Sequence, residues 1–266
     1  MQRLNIAFIG GGNMAEALIA GLTRGGHAGD QICVSEPQQA RREDLARQYG
    51  VRCVEGNADA AACADVLVLA VKPQQMQAAV KGLSVHMKAD ATVISIAAGV
   101  TTASLHAWLG EHIHIVRVMP NTPALLGAGM SVLFSDADEI HKQRAEYVLN
   151  ACGESLRVNK EKMMHAVTAV SGSGPAYFFL LAEVMQATGI KLGLDEAVAA
   201  KLAAQTALGA GKMLADSGRS AEALRHQVTS PGGTTQAALD VMYEMGLPAA
   251  VRQGVLAASK RSEELS

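Results

Sequence analysis

"FIGGGNMAEAL", Phe8–Leu18, decides how the first half of the chain is read. An apolar run, Leu4–Ile9, enters three consecutive glycines and leaves into a segment of helical periodicity, Asn13–Arg24. Gly10, Gly12 and Ala15 fall in a GxGxxA pattern, which has meaning when a strand precedes it and a helix follows. The first glycine makes a tight turn, the second admits a pyrophosphate, and the small third residue lets helix pack on strand. The amides of Asn13 and Met14, at the helix N-terminus, then face the anion. A glycine-rich turn with no ligand is the competing reading, and the strand–turn–helix setting weighs against it.

Outward from this stretch the pattern alternates. Strand candidates are Leu4–Ile9, Ile32–Ser35, Val51–Val54, Val66–Ala70, Thr92–Ile96, Ile113–Val118, Ser131–Phe134 and Ser155–Val158. Helical patterns separate most of them, at Asn13–Arg24, Pro37–Tyr49, Pro73–Leu83 and Asp138–Ala151. Alternating βα units predict a doubly wound, Rossmann-type parallel sheet over residues 1–160. Runs such as "DVLVLAV" suit strands buried on both faces. No strand pattern follows Lys160. Helices are expected at about 161–170, 174–190, 195–216, 220–227, 233–245 and 248–264, an all-α domain over 161–266. "EAVAAKLAAQTALGAGKMLA", Glu196–Ala215, is apolar nearly all round, the mark of a buried helix. About one hundred residues cannot bury it alone, which predicts a homodimer sharing this helical core.

Composition narrows the function. The 266 residues are 49% hydrophobic, so a large core is available. A net charge of −2 and 3% aromatics speak against a nucleic-acid partner. The four cysteines, at 33, 53, 63 and 152, form no CxxC pair, so they read as small hydrophobes in a reducing compartment. The start, "MQRLNIAFIGGG", is too short and glycine-broken for a signal peptide. The longest uncharged stretch, Ala91–Gly110, is too polar for a membrane span. A soluble, cytoplasmic protein is expected.

The ends of the strands carry further site candidates. Glu36, closing the second strand, lies where an acid accepts from a ribose 2′-hydroxyl and favours NAD. Ser35, Arg41 and Arg42 are placed instead for a 2′-phosphate and favour NADP. The signals conflict; NADP is the leaning, with NAD open. Asn57 reads either as an adenosine contact or as a helix cap. Ala70, Val71, Lys72 and Pro73 stand at the carboxyl end of the fourth strand, where open α/β sheets bind ligands. The small residues Ala97, Ala98 and Gly99 give a flat nicotinamide ring room against backbone; a tight turn before a helix capped at Thr101 or Thr102 is the alternative.

His112 and His114 alternate as if on one strand face, but no third metal ligand lies near them in sequence, so no metal is expected. Arg117 is either a carboxylate partner for a ligand or a structural one. No GxSxG, HExxH or Walker pattern is present, so a hydrolase triad has no anchor. The β-hydroxyacid dehydrogenases place a lysine four residues after a glycine-rich GxG; Phe178 stands there in "SGSGPAYFF". An imine needs less acid–base help than a ketone, because its protonated form is already electrophilic. Positioning, a cradle for attached charge and one hydrogen bond to nitrogen suffice. "VTSPGGTTQAAL", Val228–Leu239, offers such groups: two glycines and four hydroxyls where a plain turn needs one glycine and a cap.

With these motifs in hand, the chain resembles the pyrroline-5-carboxylate reductases. The resemblance rests on "FIGGGNMAEALIAG", "AVKP", "AAGV", "RVMPNTPALLGAGM", "AVTAVSGSGPAYFF", "KLGL" and "VTSPGGTTQAAL", in the family's order from end to end. It implies reduction of a cyclic imine to L-proline by NAD(P)H in an interwoven homodimer, often assembled into larger rings. It also implies that Ser230, Gly232, Gly233, Thr234 and Thr235 bind the substrate carboxylate, with the Thr235 hydroxyl on the ring nitrogen as the catalytic group. Pro120 and Asn121 are expected at the rim near the nicotinamide. A reductase of a six-membered cyclic imino acid and a non-enzymatic redox sensor are the alternatives. "SGSGPAY" serves either as a helix start or as a ligand contact.

Overall fold

A computed structural model describes residues 4–266, so Met1–Arg3 of the signal-peptide reading lie outside the described residues. Two compact units are present: one comprises residues up to Gly172 together with Ala258–Ser266, the other Ser173–Ala257. Sequence placed a division after residue 160. The stretch from 161 to 172 groups with the sheet because its Met164 is buried against Val132 and Phe134.

The first unit is an eight-stranded sheet in the order β3-β2-β1-β4-β5-β6-β7-β8. Its strands are β1 (Ile6–Ile9), β2 (Ile32–Ser35), β3 (Arg52–Val54), β4 (Val66–Leu69), β5 (Thr92–Ser95), β6 (His114–Met119), β7 (Gly129–Phe134) and β8 (Gly153–Arg157). The first six run parallel. β7 turns back antiparallel to β6, and β8 pairs parallel with β7, so the expected all-parallel sheet holds only through β6. The short link Pro120–Ala128 explains this reversal, because a parallel crossover needs a dozen or more residues.

Both faces are covered, as the apolar runs require. Along β1, Ile6 and Phe8 pack with Leu18, Ile19 and Leu22 of α1 (Asn13–Arg24), Leu45 of α2 (Gln39–Tyr49), and Val148 and Leu149 of α6 (Glu139–Leu149). Ala7 and Ile9 point the other way, towards α3 (Asn57–Cys63), α4 (Pro73–Val80) and α5 (Thr102–Leu109). Alternate residues of one strand thus anchor opposite helical layers. Each fully buried Ile, Leu or Phe contributes about 1.5–3 kcal/mol. α2 starts two residues later than read, because Pro37 lies in the bend that follows β2. α7 (Met163–Val167) runs into a π-helical turn, Thr168–Gly172, rather than continuing as α-helix.

The second unit is helical. α8 (Gly174–Lys191) and α9 (Glu196–Asp216) are joined by a short turn and pack side by side, followed by α10 (Ala221–Gln227) and α11 (Thr234–Glu244). α12 (Leu247–Glu264) begins in this unit and contributes its last turns to the first. The helix expected to be buried is not buried by its own chain. Only Ala199 and Ala203 of α9 are covered, while Leu202, Leu208, Met213 and Leu214 are exposed.

One interaction makes the sheet sensitive to acid. His141 of α6 is buried, with Nδ1 2.7 Å from the Thr92 hydroxyl and its ring stacked 3.8 Å from that of His114. Burial, and then the neighbouring His114, push its pKa below the ordinary value of 6.5. The unfolded chain therefore takes up this proton first as pH falls. The stability tied to neutral His141 is complete above pH 6.5 and is lost as pH drops from there towards the lowered folded value. Denaturant titrations from pH 7.5 to 5 should show falling stability, with a shallower slope in His141→Gln.

Candidate dinucleotide and carboxylate sites

The glycine-rich turn lies where β1 ends between two neighbours. Gly10 has φ +95°, and a Cβ there would lie 3.0 Å from the Ala70 carbonyl oxygen and from Val71 Cγ1. Its amide donates to the Ser35 carbonyl at 2.8 Å. Gly10 is thus glycine for reasons internal to the protein. Gly12 is different. Its φ is −71°, open to any residue, and a Cβ would meet nothing within 4 Å. It is the N-cap of α1 with no side-chain cap, so the amides that open this helix lack a side-chain partner. An exposed glycine with no internal reason, before uncapped amides, fits a pyrophosphate approaching the backbone.

Around the turn, Glu36 is 9% exposed; its carboxylate accepts from the amides of Gly11 at 3.0 Å and Gln38 at 3.1 Å. The groups expected to hold a 2′-phosphate are engaged elsewhere. Ser35 is buried and donates to the Asn57 side-chain oxygen at 2.6 Å, while Asn57 donates to the Ala79 carbonyl at 3.0 Å. Asn57 is therefore neither helix cap nor free amide: it cross-links β2 to α4. Arg41 donates to the Gly11 carbonyl at 2.8 Å and pairs with Glu16 at 2.6 Å. That hydrogen bond, outweighing burial, keeps Glu16 below the usual carboxylate range. Arg42 donates to the carbonyls of Glu36 and Pro37.

Ala70 and Val71 follow β4, Lys72 is the N-cap of α4 and Pro73 its first residue; Lys72 and Pro73 are exposed. Ala97 is buried and Ala98 exposed in the loop between β5 and α5. Thr101, not Thr102, caps α5 by accepting from the Ser104 amide. Thr102 instead gives its amide and hydroxyl to Glu161, at 2.8 and 2.9 Å. The same carboxylate pairs with buried Arg117 at 2.8 Å, which makes Arg117 structural. Burial raises the Glu161 pKa, but Arg117 and the two Thr102 bonds outweigh it and hold the carboxyl below its ordinary range. Sequence reading missed Glu161, since the groups it joins lie 59 and 44 positions away.

The two rim candidates are both held by the protein. Pro120 is buried. Asn121 accepts from the Met130 amide at 2.9 Å and donates to the Ser171 carbonyl at 3.1 Å, so its amide ties β7 to the π-helical turn. The histidine reading is also corrected. His112 lies outside β6, and His114 has neighbours distant in sequence: His141 and Asp90 place ligand-type atoms within 4.8 Å of one another. The two rings are stacked 17° from parallel, so their in-plane lone pairs do not converge on one point. Asp90 is already paired with Arg144 at 2.7 Å. An ion-pair and stacking network accounts for the cluster.

The hydroxyl-rich stretch lies in the helical unit. Gly232 has φ +70°, and a Cβ on Gly233 would lie 2.5 Å from the Ser230 hydroxyl. Together with the Gly233 amide donating to the Ser230 carbonyl at 3.0 Å, these fold Ser230–Gly233 into a tight turn. α11 then starts at Thr234 with Gly233 as N-cap and no side-chain cap. Among the described residues, no hydrogen bond engages the hydroxyls of Ser230, Thr234 or Thr235. Uncapped helix amides beside unengaged hydroxyls suit a small anion such as a carboxylate.

Gly12→Ala tests the first site. It should change stability by no more than about 1 kcal/mol, because open space and an ordinary φ await the methyl group. It should nonetheless raise the dinucleotide KM severalfold; equal KM values would mean that nothing approaches this backbone.

Comparison with known proteins places the chain in a family. Residues 161–265 match the family described as pyrroline-5-carboxylate reductase dimerisation, and residues 5–99 that described as NADP oxidoreductase, coenzyme F420-dependent. A pyrroline-5-carboxylate reductase of Pseudomonas aeruginosa is 47% identical over 268 aligned positions, covering 100% of this chain and 98% of the relative. The solved structure of such a reductase from Coxiella burnetii is 39% identical, with TM-score 0.95 over 100% of this chain and 99% of that one. The Plasmodium falciparum pyrroline carboxylate reductase, solved with NADP bound, is 28% identical, with TM-score 0.87 over the same shares. The chain belongs to the pyrroline-5-carboxylate reductase family.

Proposed function

We propose that this chain reduces 1-pyrroline-5-carboxylate to L-proline with NAD(P)H, the last step of proline synthesis. The observation that carries the reading is the Ser230–Thr235 turn: φ +70° at Gly232, uncapped amides and three hydroxyls without hydrogen-bond partners among the described residues. A relative that is 47% identical across all of this chain is named pyrroline-5-carboxylate reductase. When bound, the dinucleotide supplies the hydride that reduces the C=N bond. The amides that open α11, with the hydroxyls of Ser230 and Thr234, bind the substrate carboxylate through charge-assisted hydrogen bonds. The Thr235 hydroxyl donates to the ring nitrogen and holds the ring in position. With one proton taken up, the imine nitrogen becomes the amine of proline.

Nucleotide choice rests on Glu36 and Arg42. The Glu36 carboxylate, fixed by two backbone amides, accepts from a ribose 2′-hydroxyl and repels a 2′-phosphate. Arg42 is the cation nearest to serving a phosphate, bonded only to backbone carbonyls and 4.0 Å from Glu55. NADP, bound in the Plasmodium relative, therefore stands beside NADH as a cofactor rather than ahead of it.

The protein works as a soluble homodimer. By length and composition one helical stretch, Met163–Lys191, is apolar enough to cross a membrane, but it lies within the region matching the dimerisation family. Phe178, Phe179, Leu180 and Leu181 of α8 and the apolar residues of α9 are exposed in the single chain, and a second copy covers them.

Purified protein should oxidise NADPH or NADH with pyrroline-5-carboxylate and turn over a six-membered imino acid more slowly. No oxidation with either nucleotide would sink the reading. Thr235→Ala should lower kcat by roughly 10- to 1000-fold, the range for losing one positioned hydrogen bond or proton donor. Glu36→Gln should shift the kcat/KM ratio towards NADPH, and Arg42→Ala towards NADH; unchanged ratios in both would remove these residues from nucleotide choice.

A further inference from the structure

The loop between β5 and α5, Ile96–Thr101, is held at two points. At its far end Glu161 binds the amide and hydroxyl of Thr102 and is itself held by buried Arg117. At its middle the chain's own C-terminal turn lies against Gly99. A Cβ on Gly99 would lie 2.5 Å from the Leu265 carbonyl oxygen and 3.2 Å from its carbon, so backbone meets backbone with no room for a side chain. Gly99 has φ +79°, so the loop also turns at this contact. The turn that reaches it is anchored. Ser262 is 7% exposed, and its hydroxyl lies 3.1 Å from His165 Nδ1 of α7. Ser266 donates to the Ser262 carbonyl at 3.0 Å, and the Leu265 amide to that of Arg261 at 3.2 Å. These contacts all lie within the sheet unit, although α12 begins in the helical one.

We propose that the C-terminal turn, Ser262–Leu265, is a positioning element that sets the Ala97–Gly99 loop against the nicotinamide ring. The inference rests on the reading above that this loop seats the ring. The turn touches no substrate in the proposal; it acts through the backbone of Gly99. A packed backbone contact of this kind fixes loop height, and hydride transfer is sensitive to height, since displacements near 1 Å cost orders of magnitude in rate.

The test compares the full chain with a chain ending at Glu264 and with Leu265→Ala, which keeps the carbonyl. Each is titrated with NADPH, and with 2′-phospho-ADP-ribose, which lacks the nicotinamide. kcat, KM and oligomeric state are recorded for each. The truncated chain should bind NADPH about tenfold more weakly and show a lower kcat. It should bind the fragment as the full chain does and keep the full chain's oligomeric state. Leu265→Ala should behave as the full chain. If the truncated chain fails to fold, Ser262→Ala, which frees the turn from His165, should give the same selective loss at smaller size. Equal NADPH affinity and kcat in truncated and full chains overturns the proposal, as does an equal loss for NADPH and the fragment. A full chain that oxidises no nucleotide with pyrroline-5-carboxylate defeats the functional reading instead, and is distinguished by that assay alone.

Discussion

The backbone at Gly10 is the point on which the sheet unit turns. β1 is flanked by β2 on one side and β4 on the other, and the strand order reverses direction there. The chain leaving β1 must pass between the ends of both neighbours. Gly10 does so by donating to the Ser35 carbonyl and by lying against Ala70 and Val71 with no side chain. Any larger residue would push against the end of β4 and would also have to take φ +95°. The turn made here delivers Gly12 and the opening amides of α1 to open space. A single steric constraint therefore shapes the turn and leaves uncapped amides at the start of α1.

The polar groups around that crevice are mostly spent on keeping its shape. Glu36 holds the Gly11 amide, Arg41 the Gly11 carbonyl, and Ser35 with Asn57 ties the end of β2 to α4. Glu161 does the same for the opposite end of the site, drawing Thr102 and Arg117 together. Removing Glu161 would leave the buried Arg117 charge uncompensated, at a cost of up to about 3–5 kcal/mol. Few side chains are left over for a ligand, whereas the amides that open α1 and α11 have no side-chain cap. Amides at helix starts bind anions without the conformational entropy that a long side chain loses. The Ser230–Thr235 turn follows the same design, with hydroxyls added beside the amides.

The helical unit follows a different logic. Its apolar side chains outnumber the places its own chain provides to bury them. Exposed Phe178, Phe179, Leu202 and Leu208 belong to an interior that a single copy does not complete. The match of residues 161–265 to a dimerisation family agrees with that reading of composition.

Sequence alone determined the local grammar. Period-two and continuous apolar runs fixed most strands, and α1 begins and ends at the residues read, Asn13 and Arg24. The GxGxxA turn and the Ser230–Thr235 turn were legible because their chemistry is contiguous in the chain, within six residues each. What sequence did not determine was partnership across distance. The Arg117–Glu161 pair, the Ser35–Asn57 bond, the stacking of His114 on His141 and the engagement of Asn121 join residues 22 to 50 positions apart. A periodic pattern states which face of an element is apolar; only packing in three dimensions decides which polar groups meet, and so which remain free to bind.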